Sequence, residues 1–600
     1  MLTKDQFSIL YELSKNSQKR LTQRELSRLM DVSLGKVNSV ISGLKTAGFI
    51  DDKFHLSPAG NAALEPYKVK NAVIMAAGMS TRFAPLSYEK PKALLQVKGE
   101  ILIEREIRQL QEAGISDITV VAGYMKEKLF YLAEKFNVRI VINEDYYRYN
   151  NTSSLILVSD IADNTYICSS DDYFAENVFE PYVYRSYYAA AYSPGDTDEY
   201  CITQDRSGRI TDVTIGGSSS WYMVGQAYFS RDFSSKFFRI LRDEYYLPET
   251  KNELWENLYM RHIDELDIYI REYEPDMIRE FDSLEELRDF DSAYIENTDS
   301  AIFKNIGSIL HSRDCDIVDI YPIKAGMTNT SFHFRAGDKQ YIYRHPGAGT
   351  EMYINRKSEA ASMQIARELG LDETFIHIDP EKGWKLSYFV DHARTLEYHN
   401  ADDVSGALAM IRTLHNSGRT TGYRFDIWKG IADFENSIAR HGRNTFADFN
   451  AIHEDIHKLH TLAEADSFPQ CLCHCDCYDP NFLIDPDGKM YLIDWEYSGM
   501  ADPASDLGTF LACSDYSMEE ADRIIALYLQ HEPDNRELRH FIAYAAVLSY
   551  YWFVWAIYQE SIGKLVGEYL YIWYKYTKAY SRRAFELYAE GRGDKSDEKF

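Results

Sequence analysis

Hydrophobic positions change their period several times along the 600 residues, and each change marks a boundary. Up to residue 66, apolar side chains recur at helical spacing, most clearly in LTQRELSRLMDVSLGKVNSVISGLKTAGFI, before the short FIDDKFHLSP stretch that reads as a hairpin. Thr22 caps a helix with Glu25 completing a capping box, and Ser33 opens the next helix after a tight Asp31-Val32 turn. From Lys70 the pattern becomes continuous. KNAVIMAA is an apolar run typical of a buried parallel strand, followed by helical EILIEREIRQLQEAG and a second buried run, DITVVAGY. The alternation predicts an α/β domain with a parallel sheet, whose ligands bind at the carboxyl ends of the strands, where Gly78 to Arg82 fall. Near residue 300 the pattern changes again, to strand-rich YPIKAGMTNTSFHFRAGDKQYIYRHPG, a helix around Asn355 to Leu369, and a largely helical remainder. Three domains are expected, 1–66, 67–295 and 296–600.

Composition narrows the function. A hydrophobic content of 45% with 26% charged residues is ordinary for a folded globular protein. Net charge is −28, yet residues 1–66 hold nine Lys and Arg against seven Asp and Glu, so that segment is about +2 and the remainder about −30. The bulk of the protein is therefore no polyanion binder, and small substrates, cations included, suit it better. Eight cysteines are too few for a disulfide scaffold and fit a reducing compartment. The N-terminus has no basic segment before an apolar core, and LSYYWFVWAIY is too short and tyrosine-rich to cross a bilayer. A cytoplasmic protein without membrane insertion is expected.

The segment CLCHCDCYDPN raises the question of a zinc site. Period-two cysteines on a strand would put Cys471, Cys473, Cys475 and Cys477 on one face in a row. Tetrahedral coordination generally needs a turn between paired ligands and a second pair elsewhere, and no second CxxC exists in the chain. The cysteines read as buried small hydrophobes. A different spacing runs through the same stretch: His474-x-Asp476-x-x-x-x-Asn481, then a strand ending at Asp494-Trp495-Glu496. Phosphoryl transfer needs this set, a carboxylate to orient the attacking hydroxyl (Asp476) and an amide and a second carboxylate to hold Mg²⁺ (Asn481, Asp494). A small sheet lobe followed by a larger helical lobe is also the layout of a kinase.

HCDCYDPNFLIDPDGKMYLIDWEYSGMADPASDLGTF resembles the choline/ethanolamine kinase family within the aminoglycoside-phosphotransferase-like fold, over roughly residues 300–590. The resemblance implies a phosphate-covering turn at Gly326-Met327-Thr328-Asn329, Arg344 in place of the usual kinase lysine, and Glu359 as its partner. YFVDHARTL resembles the hinge between lobes. Trp552 and Trp555 share one helical face and could present π-faces to a quaternary ammonium, with Asp476 and Glu496 adding negative charge; the alternative is an aromatic stripe in the core.

AAGMSTRFAPLSYEKPKALLQVKGE resembles the sugar-nucleotidyltransferase pattern of strand, glycine turn, Arg and later Pro-Lys. Amides of the turn at Ala77 and Gly78 can cradle phosphates, Arg82 can hold the leaving β/γ-phosphates, and Lys92 can neutralise the α-phosphate under attack. Ser80 stands where that family commonly has a second glycine. NEDYYRYNNTSSLILVSD and YICSSDDYF resemble CTP:phosphocholine cytidylyltransferases over about residues 70–290. That likeness implies Asp171 and Asp282 as magnesium ligands, with Asp172 the competing choice for the first. Asn150 and Asn151 would help to recognise the nucleotide, and Tyr200, Trp221 and Trp255 would wall a choline box.

Residues 1–66 resemble a winged helix-turn-helix of the MarR-like kind. Ser33, Lys36, Asn38 and Ser39 are its candidate base-reading side chains, and docking or dimerisation is an equal alternative to DNA binding. The resemblances together imply a bifunctional enzyme of Rossmann-like nucleotidyltransferase and bilobal protein-kinase-like domains. Choline and ATP would give phosphocholine, and phosphocholine and CTP would give CDP-choline. Ethanolamine or a sugar as substrate, and a ligand-sensing transcription regulator, are the rival readings.

Overall fold

A computed structural model of the chain describes residues 1–16, 21–323, 329–347, 350, 353–441 and 446–593. It divides into two compact units, Met1–Asn305 and Ile306–Phe600.

In the first unit, helices Lys4–Lys15, Gln23–Leu29 and Leu34–Thr46 precede an Ile50–Leu56 bridge and helix Pro58–Leu64. Thr22 and Glu25 form the expected capping box, Ser33 caps the third helix, and Asp31 makes the intervening turn at φ +48°. Ile9, Leu10, Leu26, Val37 and Leu44 form the core of this segment, which continues onto Tyr67, Tyr182 and Tyr184. Tyr67 stacks on Tyr184 at 5.7 Å and its hydroxyl accepts the Leu2 N–H at 2.9 Å. The N-terminal helices are thus seated on the rest of the unit through an aromatic seam.

The rest of this unit is built on a seven-stranded sheet in the order Tyr269–Glu272, Tyr187–Gln204, Ile210–Phe229, Thr165–Ser169, Asn71–Ala76, Ile118–Ala122, Arg139–Ile142. Asn71–Ala76 lies parallel to both of its neighbours and almost wholly buried, which is why its sequence is apolar without alternation. Its carboxyl end releases the chain into the glycine turn. A two-stranded ribbon sets Asp172–Phe174 antiparallel to Ile278–Glu280 and brings Asp172 opposite Glu280, with Asp282 two residues further on.

The second unit starts with a five-stranded antiparallel sheet, Ile317–Ile323, Thr330–Ala336, Lys339–His345, Lys385–Tyr388 and Phe375–Ile378 in spatial order. Helix Arg356–Glu368 is capped by Asn355. Short paired strands Cys471–Cys473 and Gly499–Ala501, and hairpin Phe482–Ile484 with Met490–Leu492, then lie among a helical lobe. Helix Asn535–Ser561 is long and apolar enough to cross a membrane, but its apolar stretch is entirely buried against Ala504–Cys513, Ile427–His441 and Tyr569–Gly593. It is the core helix of this lobe.

Candidate active sites

The glycine turn of the first unit opens onto a cavity of about 620 Å³ lined by Ala77, Gly78, Arg82, Lys92, Asn150, Asn151 and Asp171. Seven residues singled out in the sequence thus converge at the end of one strand. Ser80 adopts the left-handed conformation, φ +47°, which explains why glycine suits this position and why a serine there holds the turn at some strain. Lys92, 6% exposed, places its Nζ 2.8 Å from Asp171. Burial lowers the ammonium's pKa, and Asp171, Glu280 and Asp282 more than reverse it, so Lys92 stays charged.

The two neighbouring aspartates differ. Asp171 pairs with Lys92 at the cavity, whereas Asp172 is 2% exposed and neither of its carboxylate oxygens has a hydrogen-bond partner among the described residues. Burial, then Glu280 and Asp171, push Asp172 well above the carboxylate range, making it a neutral interior acid. Glu280 is pushed up to about 8 by burial and by Asp171. Asp282 pairs with the exposed Arg82 at 3.0 Å. Sequence reasoning missed Glu280, although its place two residues before Asp282 was a usable signal.

In the second unit, Arg344 and Glu359 form a buried ion pair at 2.6 Å, and Arg344 also reaches Asp494 at 3.1 Å. Asn481 Nδ2 donates to the Asp476 carboxylate at 2.9 Å and to its backbone carbonyl at 2.8 Å, which leaves Asn481 Oδ1 as the group available to a cation. Asp494 adopts φ +64°. Burial acts against its charge, but Lys385 and Arg344 hold its pKa below the usual value. Burial followed by Asp494 and Glu496 raises Asp476 well above it. His474 Nδ1 accepts the Asp476 N–H and Nε2 lies 2.9 Å from the Ile493 carbonyl, an arrangement that needs the neutral ring. Asn329 Nδ2 donates to Glu496 at 2.8 Å, while Thr328 lies outside the described residues.

Two cations went unnoticed in the sequence. Lys385 Nζ lies 3.6 Å from Asp494, and Arg356 bridges Glu359 at 3.0 Å and Glu496 at 3.2 Å while donating to Asn329 and Thr350. Arg356, three residues before Glu359, was legible as an i,i+3 pair.

Residues 319–541 match the phosphotransferase enzyme family and residues 72–180 the MobA-like NTP transferase domain. The chain is 38% identical over 231 residues to the 2-aminoethylphosphonate cytidylyltransferase of Lancefieldella rimae, spanning 38% of this chain and 93% of that protein. It is 35% identical over 217 residues to the choline-phosphate cytidylyltransferase of Streptococcus pneumoniae, spanning 36% of this chain and 95% of that one. The chain belongs to this cytidylyltransferase family. The second unit is similar to the crystal structure of choline kinase LicA from S. pneumoniae, with 26% identity, 48% of this chain and 98% of that chain covered, and a TM-score of 0.40. The protein is a bifunctional enzyme in which a cytidylyltransferase is fused to a phosphotransferase of the kinase-like kind.

Several expectations need correction. In the cytidylyltransferase, Trp255 is 1% exposed, stacked on Tyr188 at 5.5 Å and edge-on to Phe229 and Phe237, so it is core and no wall of a ligand box. Tyr200 donates to Asn257 at 3.2 Å and Trp221 packs edge-on to Tyr192. Neither lines the 620 Å³ cavity. In the kinase, Trp552 and Trp555 cluster with Trp573 and Tyr497 and stand outside the lining of the cavity beside Glu496. The cavity beside Glu496, about 570 Å³, is lined instead by Tyr353, Phe425, Asp433, Tyr497 and Tyr551. The four cysteines do not share one strand face: the strand ends at Cys473 and Cys475 turns at φ +67°. The turn delivers Asp476 and is fixed by Asp506, which accepts the His474 N–H at 3.0 Å and the Cys475 N–H.

Proposed function

We propose that the kinase domain phosphorylates choline with ATP and that the cytidylyltransferase domain transfers CMP from CTP to the phosphocholine, giving CDP-choline and pyrophosphate. The observation that carries this reading is the fusion itself. A kinase that makes a phosphate ester is useful beside a transferase that consumes one, whereas a phosphonate such as 2-aminoethylphosphonate already carries its phosphorus and needs no kinase. The aromatic side chains of the kinase cavity, with Asp433 and Glu496 beside them, support a cationic alcohol as acceptor, although Arg356, Lys357, Arg424 and Lys429 balance the acids of the same lining.

In the kinase, Asp476 is charged once cations bound at Asn481 and Asp494 and the choline ammonium offset the acids that raise it. In that form it orients the choline hydroxyl and accepts its proton as the γ-phosphoryl group transfers, while Arg344, kept in place by Glu359, faces the phosphates. Tyr353, Tyr497 and Tyr551 offer π-faces to the trimethylammonium, and Glu496 and Asp433 add charge. Trp552 backs Tyr497 edge-on at 5.2 Å. Asn481 Oδ1 and Asp494 are hard oxygen donors that fit Mg²⁺, as are Asp171 and Asp282 in the cytidylyltransferase. When bound, Mg²⁺ supplies neutralisation of phosphate charge at both sites. In the cytidylyltransferase, Lys92 steadies the α-phosphate as a phosphocholine oxygen attacks it. Arg82, itself exposed, exchanges its half-buried partner Asp282 for the departing pyrophosphate, a small loss because that pair is partly solvated.

Residues 1–66 act, in this proposal, as a winged helix-turn-helix docking module. The aromatic seam to Tyr67, Tyr182 and Tyr184 supports docking, and Lys36, a candidate base reader, is paired with Asp5 at 2.8 Å. DNA binding would show as retention of duplex DNA that weakens steeply with salt. For the catalytic reading the test is turnover of choline against ethanolamine and other primary amino alcohols: a higher kcat/KM for choline in the kinase step supports it, and preference for a primary amine refutes it.

A further inference from the structure

We infer that the kinase domain carries a separate structural site for a soft, thiolate-seeking cation, Zn²⁺ foremost, formed by His415, Cys471 and Cys473. The chain's spacing argued against such a site because no second ligand pair follows the cysteines. The fold supplies the missing ligand from elsewhere, at the last residue of helix Ala401–His415. One ligand atom from each of the three residues lies within 4.8 Å of the others. The two sulfurs stand 3.6 Å apart, and two Zn–S bonds of about 2.3 Å meeting at a tetrahedral angle put them about 3.8 Å apart.

The surroundings of His415 are those of a metal ligand. Its Nε2 lies 2.8 Å from the Asp506 carboxylate, which can only accept, so in the neutral ring the proton sits on Nε2 and Nδ1 presents a lone pair. A carboxylate behind the imidazole is how ligating histidines are oriented. Nδ1 meets the Tyr528 hydroxyl at 2.8 Å, and a cation would displace that contact and leave its fourth position to water or to the phenol oxygen. Two sulfurs and one imidazole select Zn²⁺ over Mg²⁺, which the oxygen donors of Asn481 and Asp494 suit. Cys473 is fully buried and Cys471 only partly, so the cation would enter from the Cys471 side.

The same Asp506 that orients His415 holds the backbone N–H groups of His474 and Cys475, immediately before Asp476. A cation anchored to His415 would therefore stiffen the turn that delivers the catalytic carboxylate, and the cysteines act as positioning residues without touching substrate.

The test is spectroscopic. Full-length protein stripped with EDTA is titrated with Co²⁺, then back-titrated with Zn²⁺ and followed by metal analysis. The inference expects one Co²⁺ per chain with thiolate charge-transfer and tetrahedral ligand-field absorption, displaced by Zn²⁺, and a Zn²⁺-dependent rise in the thermal midpoint. Cys471→Ser should abolish the thiolate band and weaken Zn²⁺ binding at least about tenfold, while Cys477→Ala, buried in the same stretch, keeps both. Cys471 is part-exposed, so the metal-free midpoint of Cys471→Ser should match that of the stripped wild type, and this variant decides the matter even if Cys473→Ala fails to fold. Absence of the thiolate band in wild type, or equal Zn²⁺ binding by Cys471→Ser, overturns the inference.

Discussion

Lys92 Nζ lies 2.8 Å from the Asp171 carboxylate, and among the described residues no such partner reaches Asp172, its neighbour in sequence. One aspartate therefore belongs to the nucleotide cavity and the other to the interior. Asp171→Ala and Asp282→Ala should each abolish CMP transfer from CTP to supplied phosphocholine while leaving phosphocholine formation intact. Asp172→Asn should keep transferase activity within a few-fold of wild type, because it replaces a neutral acid by a neutral amide of the same shape. Separate assays of the two half-reactions check this, and an inactive Asp172→Asn with an active Asp171→Ala would reverse the assignment.

Asp476→Ala should reverse the pattern, removing phosphorylation of choline and sparing CDP-choline formation from supplied phosphocholine. Asn481 spends its amide protons on Asp476, so Asn481→Asp should also lose kinase turnover by removing that donor and setting a second carboxyl 2.9 Å from the first, which raises Asp476 further. Loss of both activities in either variant would contradict two independent sites.

The tyrosines that line the kinase cavity and the tryptophans packed outside it should behave differently. Tyr497→Ala is expected to raise the KM for choline far more than that for ATP, since a desolvated cation-π contact is worth about 2 kcal/mol, or on the order of thirtyfold. Tyr497→Phe keeps the π-face and should recover most of it. Trp555→Ala, from the packed cluster, should instead lower stability by about 3–5 kcal/mol. Thermal unfolding measured beside both KM values separates these effects, and a selective choline KM effect at Trp555 with unchanged stability would move the cage to the tryptophans.

Glu256 gives a pH signature. Burial raises its carboxyl from 4.5 to about 7, and its Oε2 has no hydrogen-bond partner among the described residues. Between those values the folded protein retains a proton that the unfolded chain has lost, so stability falls as pH rises through the window and stays lower above it. The full penalty is about 3 kcal/mol. Glu256→Gln should remove it, so the variant's thermal midpoint should exceed that of wild type by an amount that grows from about pH 5 to about pH 8. A difference independent of pH would show that Glu256 is ionised throughout.

Much of this was legible in the sequence because local patterns carried it. The Thr22-Glu25 capping box, the buried strand before Gly78, and the spacing of Asp476, Asn481 and Asp494 each encode a geometry within a few residues. What was illegible depends on the third dimension. Periodicity cannot tell Trp255 on a ligand from Trp255 on Tyr188, since both need an aromatic on a helix. The alternation from Cys471 to Cys477 looked like one strand because nothing local announces that Asp506 will pull the backbone of His474 and Cys475 into a turn. His415 acquires Asp506 and Tyr528 only when helices distant in sequence pack together.

The most direct test of the bifunctional account is a time course with purified protein, choline, ATP, CTP and Mg²⁺, in which choline, phosphocholine and CDP-choline are resolved together. The account predicts that phosphocholine appears first, and that CDP-choline and pyrophosphate follow at its expense. Omission of CTP should stop the sequence at phosphocholine, and omission of ATP should stop it before phosphocholine. Formation of no phosphocholine from choline, or failure of supplied phosphocholine to yield CDP-choline, would contradict it.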